Sequence, residues 1–105
     1  MEGGERGGST FTFRALLWEH ESTSGWHFLS LPDDVADEIE AASSDRAGGF
    51  GSIRVEATIG ATTWRTSLFP DARRRTYVLP IKRPVRAAEG LDAGSWTDVA
   101  VSVLV

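Results

Sequence analysis

The chain of 105 residues contains no cysteine, a single methionine, a single tyrosine and only two histidines, His20 and His27. Without cysteine there is no disulfide, no thiolate metal site and no cysteine nucleophile. Two histidines leave little for a histidine-based metal centre, so neither a metal nor a cofactor is assigned. No apolar run approaches the ~20 residues that a membrane-spanning helix requires. The opening Met1-Glu2-Gly3-Gly4-Glu5-Arg6-Gly7-Gly8 lacks the apolar core of a signal peptide. A glycine-rich phosphate loop between a strand and a long helix is also missing, because Gly48-Gly49-Phe50-Gly51 precedes a strand. These absences predict a soluble cytoplasmic protein that engages no membrane.

What is present suits one modest domain. Four Trp and five Phe supply bulky core material in a chain of this length. The net charge of −4 is unevenly placed. Arg65, Arg73, Arg74, Arg75, Lys82, Arg83 and Arg86 lie together in sequence against the single acid Asp71, whereas the preceding segment is acidic. Such asymmetry marks an anion-binding face or two halves that neutralise each other.

Hydrophobic periodicity places the elements. Residues 1–9 read as a disordered tail and 10–105 as one domain. Strands are expected over 11–18 and 26–31, joined as a hairpin. A helix then starts at Pro32-Asp33-Asp34, with Val35, Ile39 and Ala42 facing the sheet. Ile53, Val55, Ala57 and Ile59 alternate with Arg54, Glu56 and Thr58 in a clean period-two strand, followed by a tight turn at Gly60-Ala61. The next strand, 62–69, is expected to stop at Pro70-Asp71. Strand 76–79, a short helix over 85–89 ending at Gly90, and a β-branched strand over 99–105 with Trp96 at its entrance complete the chain.

The two halves match. Phe13-Arg14-Ala15-Leu16-Leu17 corresponds to Trp64-Arg65-Thr66-Ser67-Leu68, and Phe28–Pro32 to Tyr77–Pro80 with a one-residue slip. A ββαβ unit this small cannot bury its apolar face alone, so two copies, about 10–60 and 61–105, interlock around one core. The expected fold is mainly β with small α content: a six-stranded closed β-barrel made of two ββαβ repeats, with two short helices covering its open ends.

The strings Trp26…Leu31-Pro32, Gly51-Ser52-Ile53-Arg54-Val55, Thr66-Ser67-Leu68-Phe69-Pro70, Tyr77-Val78-Leu79-Pro80-Ile81-Lys82 and Val85-Arg86-Ala87-Ala88 resemble the domain-of-unknown-function family numbered 1905. Leu79-Pro80 through Gly90-Leu91-Asp92-Ala93-Gly94 is similar to the swapped-hairpin domain of AbrB-type regulators and antitoxins. The resemblance implies a double-split barrel, the single-chain counterpart of an AbrB-type dimer, and brings no catalytic residues. The chain departs from the family between Pro70 and Tyr77, where Asp71-Ala72-Arg73-Arg74-Arg75 replaces a small glycine-rich turn.

Function is less legible. The favoured reading is a non-catalytic binding or accessory module in which Arg65, Ser67, Lys82 and Arg86 clamp a small carboxylate or phosphate. The alternative is an AbrB-like nucleic-acid binder that neutralises phosphates through Arg73, Arg74, Arg75 and Arg83. A protein partner, with the chain a monomer or weak dimer, is a third expectation. Catalysis has thin support: alternation sets His27 opposite Trp26 and Phe28, which reads as a surface histidine, and it has no nucleophile beside it.

Overall fold

In the computed structural model, which describes residues 10–22, 25–43 and 51–104, the elements run β1 (Thr10–Glu19), β2 (His27–Ser30), α1 (Asp33–Ser43), β3 (Ile53–Ile59), β4 (Thr62–Asp71), β5 (Thr76–Pro80), α2 (Arg83–Glu89) and β6 (Trp96–Val103). The expected tail and the glycine loop around residues 48–50 lie outside the described residues. All six strands pair antiparallel into a closed barrel of order β1-β2-β5-β4-β3-β6. Exchanging β1 with β4, β2 with β5 and β3 with β6 returns the same ring, so the order carries the symmetry expected of a duplication.

The register shows why the barrel is split twice. Thr10–Leu16 of β1 pair with β6, and only Leu17–Glu19 pair with β2. In the second half, residues 62–68 of β4 pair with β3, and only Phe69–Asp71 pair with β5. Each long strand thus leaves one sheet and enters another part-way along its length. Helix α1 packs on β1 and α2 on β4, each against a strand that changes partner. Leu29 and Leu79, both fully buried, face each other where β2 meets β5. The pseudo-two-fold relation passes between them.

The interior is filled by the alternate residues of every strand, including Ala15, Leu17, Leu29, Val55, Ala57, Leu68, Leu79 and Val101, with Ile39 from α1 and Val85 from α2. Tyr77 packs against the edge of this core, and its hydroxyl is pushed above its usual 10.0, first by burial and then by the charge of Glu40 on α1.

Several details differ from the sequence reading, and β6 for one begins at Trp96 itself rather than at Val99. Strand β4 does not stop at Pro70 but continues to Asp71, with Pro70 opposite Tyr77. The last β3 partner is Leu68, so Pro70 lies beyond the β3–β4 ladder and its missing N–H costs no bond to β3. Pro32 and Pro80 are not equivalent: Pro32 directly precedes α1, whereas Pro80 is the last residue of β5, paired with Phe28. The equivalence runs instead from Leu29 to Leu79 and from Asp33 to Arg83, where the helices start. On α1 the buried residues are Ala36, Ile39 and Ser43, while Val35 is half-buried and Ala42 exposed. Ser43 is tolerated inside because its hydroxyl donates to the Ile39 carbonyl at 2.8 Å. Helix α2 starts two residues earlier than expected, with Pro84 in its first turn, and ends on Gly90 in the left-handed region at φ 65°.

Candidate anion-binding cleft

The C-terminal end of β1, the start of β2 and the segment leading from β5 into α2 meet at one end of the barrel. The backbone ties them: the Ile81 N–H donates to the His27 carbonyl at 2.9 Å and the His20 N–H to the Trp26 carbonyl at 2.8 Å. Between them opens a cleft of about 470 Å³. Pro80 and Ile81 give it an apolar side, Trp26 an aromatic wall, and Lys82, Arg83 and Arg86 its positive charge.

Arg86 is a strut as well as a charge. Its Nε donates to the Ile81 carbonyl at 3.1 Å and its Nη2 to the Gly25 carbonyl at 3.5 Å. Lys82 and Arg83 are exposed, and neither forms an ion pair among the described residues. Lys82 also makes no side-chain cap to α2. Two cations are therefore available to an incoming anion, while a third holds the wall in place.

Glu19 and His27 occupy the other side of the cleft. One Glu19 oxygen accepts the Gly25 N–H at 2.9 Å, and the other lies 4.0 Å from His27 Nε2. His27 Nδ1 lies 3.0 Å from the Gly25 carbonyl. The His27 side chain is only 10% exposed, so the expectation of a surface histidine is corrected. Alternation did place it on the same face as Leu29 and Leu31; that face is the inside of the barrel.

Of the residues read from the sequence as an anion clamp, the structure brings Lys82 and Arg86 together in this cleft and adds Arg83. Arg65 and Ser67 do not line it. Arg65 lies on β4 opposite Glu56 and 3.9 Å from its carboxylate, and Ser67 lies opposite Arg54.

The triple arginine is at the far end of β5. Asp71 organises that loop: its Oδ1 accepts the N–H of Arg73 at 3.0 Å and of Arg74 at 3.3 Å, and its carbonyl accepts that of Arg75 at 2.7 Å. Arg75 adopts φ 60°, the left-handed turn position that glycine fills most easily. Arg74 bonds the second Asp71 oxygen at 3.0 Å. Burial pushes the Asp71 carboxyl up, but the hydrogen bonds and charge of Arg74, with the Arg73 N–H, outweigh it and hold the group below its usual 3.8. The five residues of β5 separate this loop from Lys82, a span of roughly 17 Å at strand rise. The basic segment that is continuous in sequence is thus divided between the two ends of β5.

The family model described as a domain of unknown function (DUF1905) matches residues 13–101. The chain belongs to this family. A comparison with curated proteins returned no match. In this DUF1905 chain the matched span takes in β2 to β5, both helices and most of β1 and β6, and it includes the whole cleft. Among the described residues, neither helix is long and apolar enough to cross a membrane. The sequence reading missed Trp26, Arg83 and Glu19 as cleft neighbours. Only the pairing of β2 with β5 joins residue 26 to residue 82, and no local spacing reports it.

Proposed function

We propose that this DUF1905 chain is a non-catalytic binding module that holds a small anion, a carboxylate or phosphate, in the cleft beside α2. The observation that carries the reading is the convergence of Lys82, Arg83 and Arg86 on one half-apolar cleft, with Lys82 and Arg83 free of ion pairs among the described residues. Charged donors next to an apolar wall bind anions more strongly than the same donors on an open surface, because less water competes. Binding is the reading because the cleft's cations supply charge-assisted donors, which hold an anion without a covalent step.

The test is calorimetric or NMR titration of the intact chain with inorganic phosphate and with small carboxylates at low and moderate salt. Saturable binding with Kd of roughly millimolar order is expected, lost in the Lys82→Ala/Arg83→Ala variant and retained in Arg65→Ala. Absence of saturable binding, or equal loss in Arg65→Ala, would remove the reading.

A further inference from the structure

We infer that the occupant of the cleft is a nucleoside monophosphate, its base stacked on Trp26 and its phosphate held by Lys82 and Arg83. The inference rests on the anion site proposed above and adds the ligand's other half.

Trp26 is the starting point. The residue is 58% exposed, level with Trp96 at 57%, and of the two only Trp26 lines the cationic cleft. Exposure of an indole costs free energy unless something covers it. The ring is not on a loose segment. The Trp26 carbonyl accepts the His20 N–H, and the Gly25 carbonyl just before it accepts Arg86 Nη2. Phe28 backs the indole at 6.1 Å between centroids, with an interplanar angle of 34°. Trp26 is therefore a supported, open aromatic plate on the wall of a cationic cleft. Cations next to a stacking platform are the pairing by which proteins hold nucleotides without reading sequence.

Glu19 narrows the class. It is the one acid lining the cleft among the described residues, its side chain is 43% exposed, and its Gly25 contact engages one oxygen while the other lies 4.0 Å from His27 Nε2. A simple anion gains nothing from a carboxylate beside it and is repelled by it. A planar base that carries N–H donors gains a hydrogen bond there. The cleft volume of about 470 Å³ falls inside the ~300–1,000 Å³ range of small-molecule sites.

The experiment compares AMP, ribose 5-phosphate, inorganic phosphate and adenosine by calorimetry, in the wild-type chain, Trp26→Leu and Trp26→Phe. AMP should bind about tenfold tighter than ribose 5-phosphate, the scale of one base–aromatic stack. Trp26→Leu should erase that difference, so that AMP and ribose 5-phosphate bind equally, and Trp26→Phe should restore most of it. Equal affinity for AMP and ribose 5-phosphate would overturn this inference while leaving the anion site intact. A preference for AMP that survives in Trp26→Leu would overturn it as well, because the base would then lie elsewhere. Adenosine binding as tightly as AMP, or no binding of any phosphate at millimolar concentration, would overturn both the inference and the anion site beneath it.

Discussion

The Arg74 guanidinium lies 3.8 Å from the centroid of the Trp18 ring. Arg74 belongs to the loop between β4 and β5, whereas Trp18 is on β1, so the contact spans the outer face of β2 and β5. The indole is itself fixed, with Nε1 donating to Ser30 Oγ at 2.9 Å and Phe28 at 5.1 Å between centroids. Asp71 holds the other side of the guanidinium. A side chain that sequence alone presents as one of three equivalent loop arginines is a cross-strand tie.

Replacing it should therefore be felt in stability. Arg74→Ala is expected to cost about 1 kcal/mol, the scale of a partly desolvated cation–π contact. Arg73→Ala and Arg75→Ala, which remove exposed side chains that make no ion pair or ring contact among the described residues, should change stability by about 0.5 kcal/mol at most. Urea unfolding of the three single variants distinguishes them. A cycle with Trp18→Leu should show that the Arg74 loss shrinks once the indole is gone, leaving the part carried by Asp71.

The same tie gives a pH dependence with a definite sign. The folded-state pKa of Asp71 is depressed below 3.8, so its contribution is fully present above that value and is lost as pH falls through the lower folded value. Asp71→Asn should thus be less stable than wild type at neutral pH, and the two should converge as pH drops below the ordinary aspartate range. Parallel urea titrations between neutral and strongly acid pH would measure it. A gap that stays constant to the lowest pH would mean that the carboxylate charge is not what Arg74 and the loop N–H groups recognise.

Much of the barrel was legible because its signals are local. Ile53 to Ile59 alternate so cleanly that the strand could be placed to the residue, and Gly60 and Gly90 mark a turn and a helix end by the positive φ each requires. The repeat was legible too, since two units of the same order leave the same pattern twice. The errors came where a neighbour overrules local preference. Pro70 normally ends a strand, but here β3, which starts at Ile53 opposite Leu68, does not extend alongside it. His27 is polar, but its register puts it inside the barrel mouth. The candidate site was half legible: Lys82 and Arg86 are one helical turn apart and meet on any helix, whereas Trp26 and Glu19 reach them only through strand pairing.

The division of the basic segment also bears on nucleic acid. Each phosphate neutralised contributes a slope of about −0.9 in log K against log salt. With Arg74 engaged by Asp71 and Trp18, the loop has Arg73 and Arg75 left to offer a duplex. Duplex DNA should therefore bind weakly, with a slope of magnitude below about 2, unchanged within error by Lys82→Ala at the other end of β5. A salt series on wild type, on Lys82→Ala and on the Arg73→Ala/Arg74→Ala/Arg75→Ala variant measures this. A steep slope that flattens only in the triple variant would instead make the loop a phosphate-binding element in its own right.

Gly60 and Glu89 give the sharpest structural test of how α2 is seated. The turn between β3 and β4 holds Gly60 at φ 58°, and a Cβ built there would collide with the Glu89 carboxylate. That carboxylate is in place because the Thr62 hydroxyl donates to it at 2.6 Å. Gly60→Ala should lose stability twice, by about 1–2 kcal/mol for the left-handed backbone and by a further amount for displacing Glu89. Glu89→Ala alone should cost about 1 kcal/mol for the lost hydrogen bond. Because the collision and the hydrogen bond share one side chain, the double variant should cost less than the sum of the two single losses. Strict additivity in chemical unfolding would mean that Glu89 swings clear of the turn without consequence, and that the contact does not hold α2 against β4.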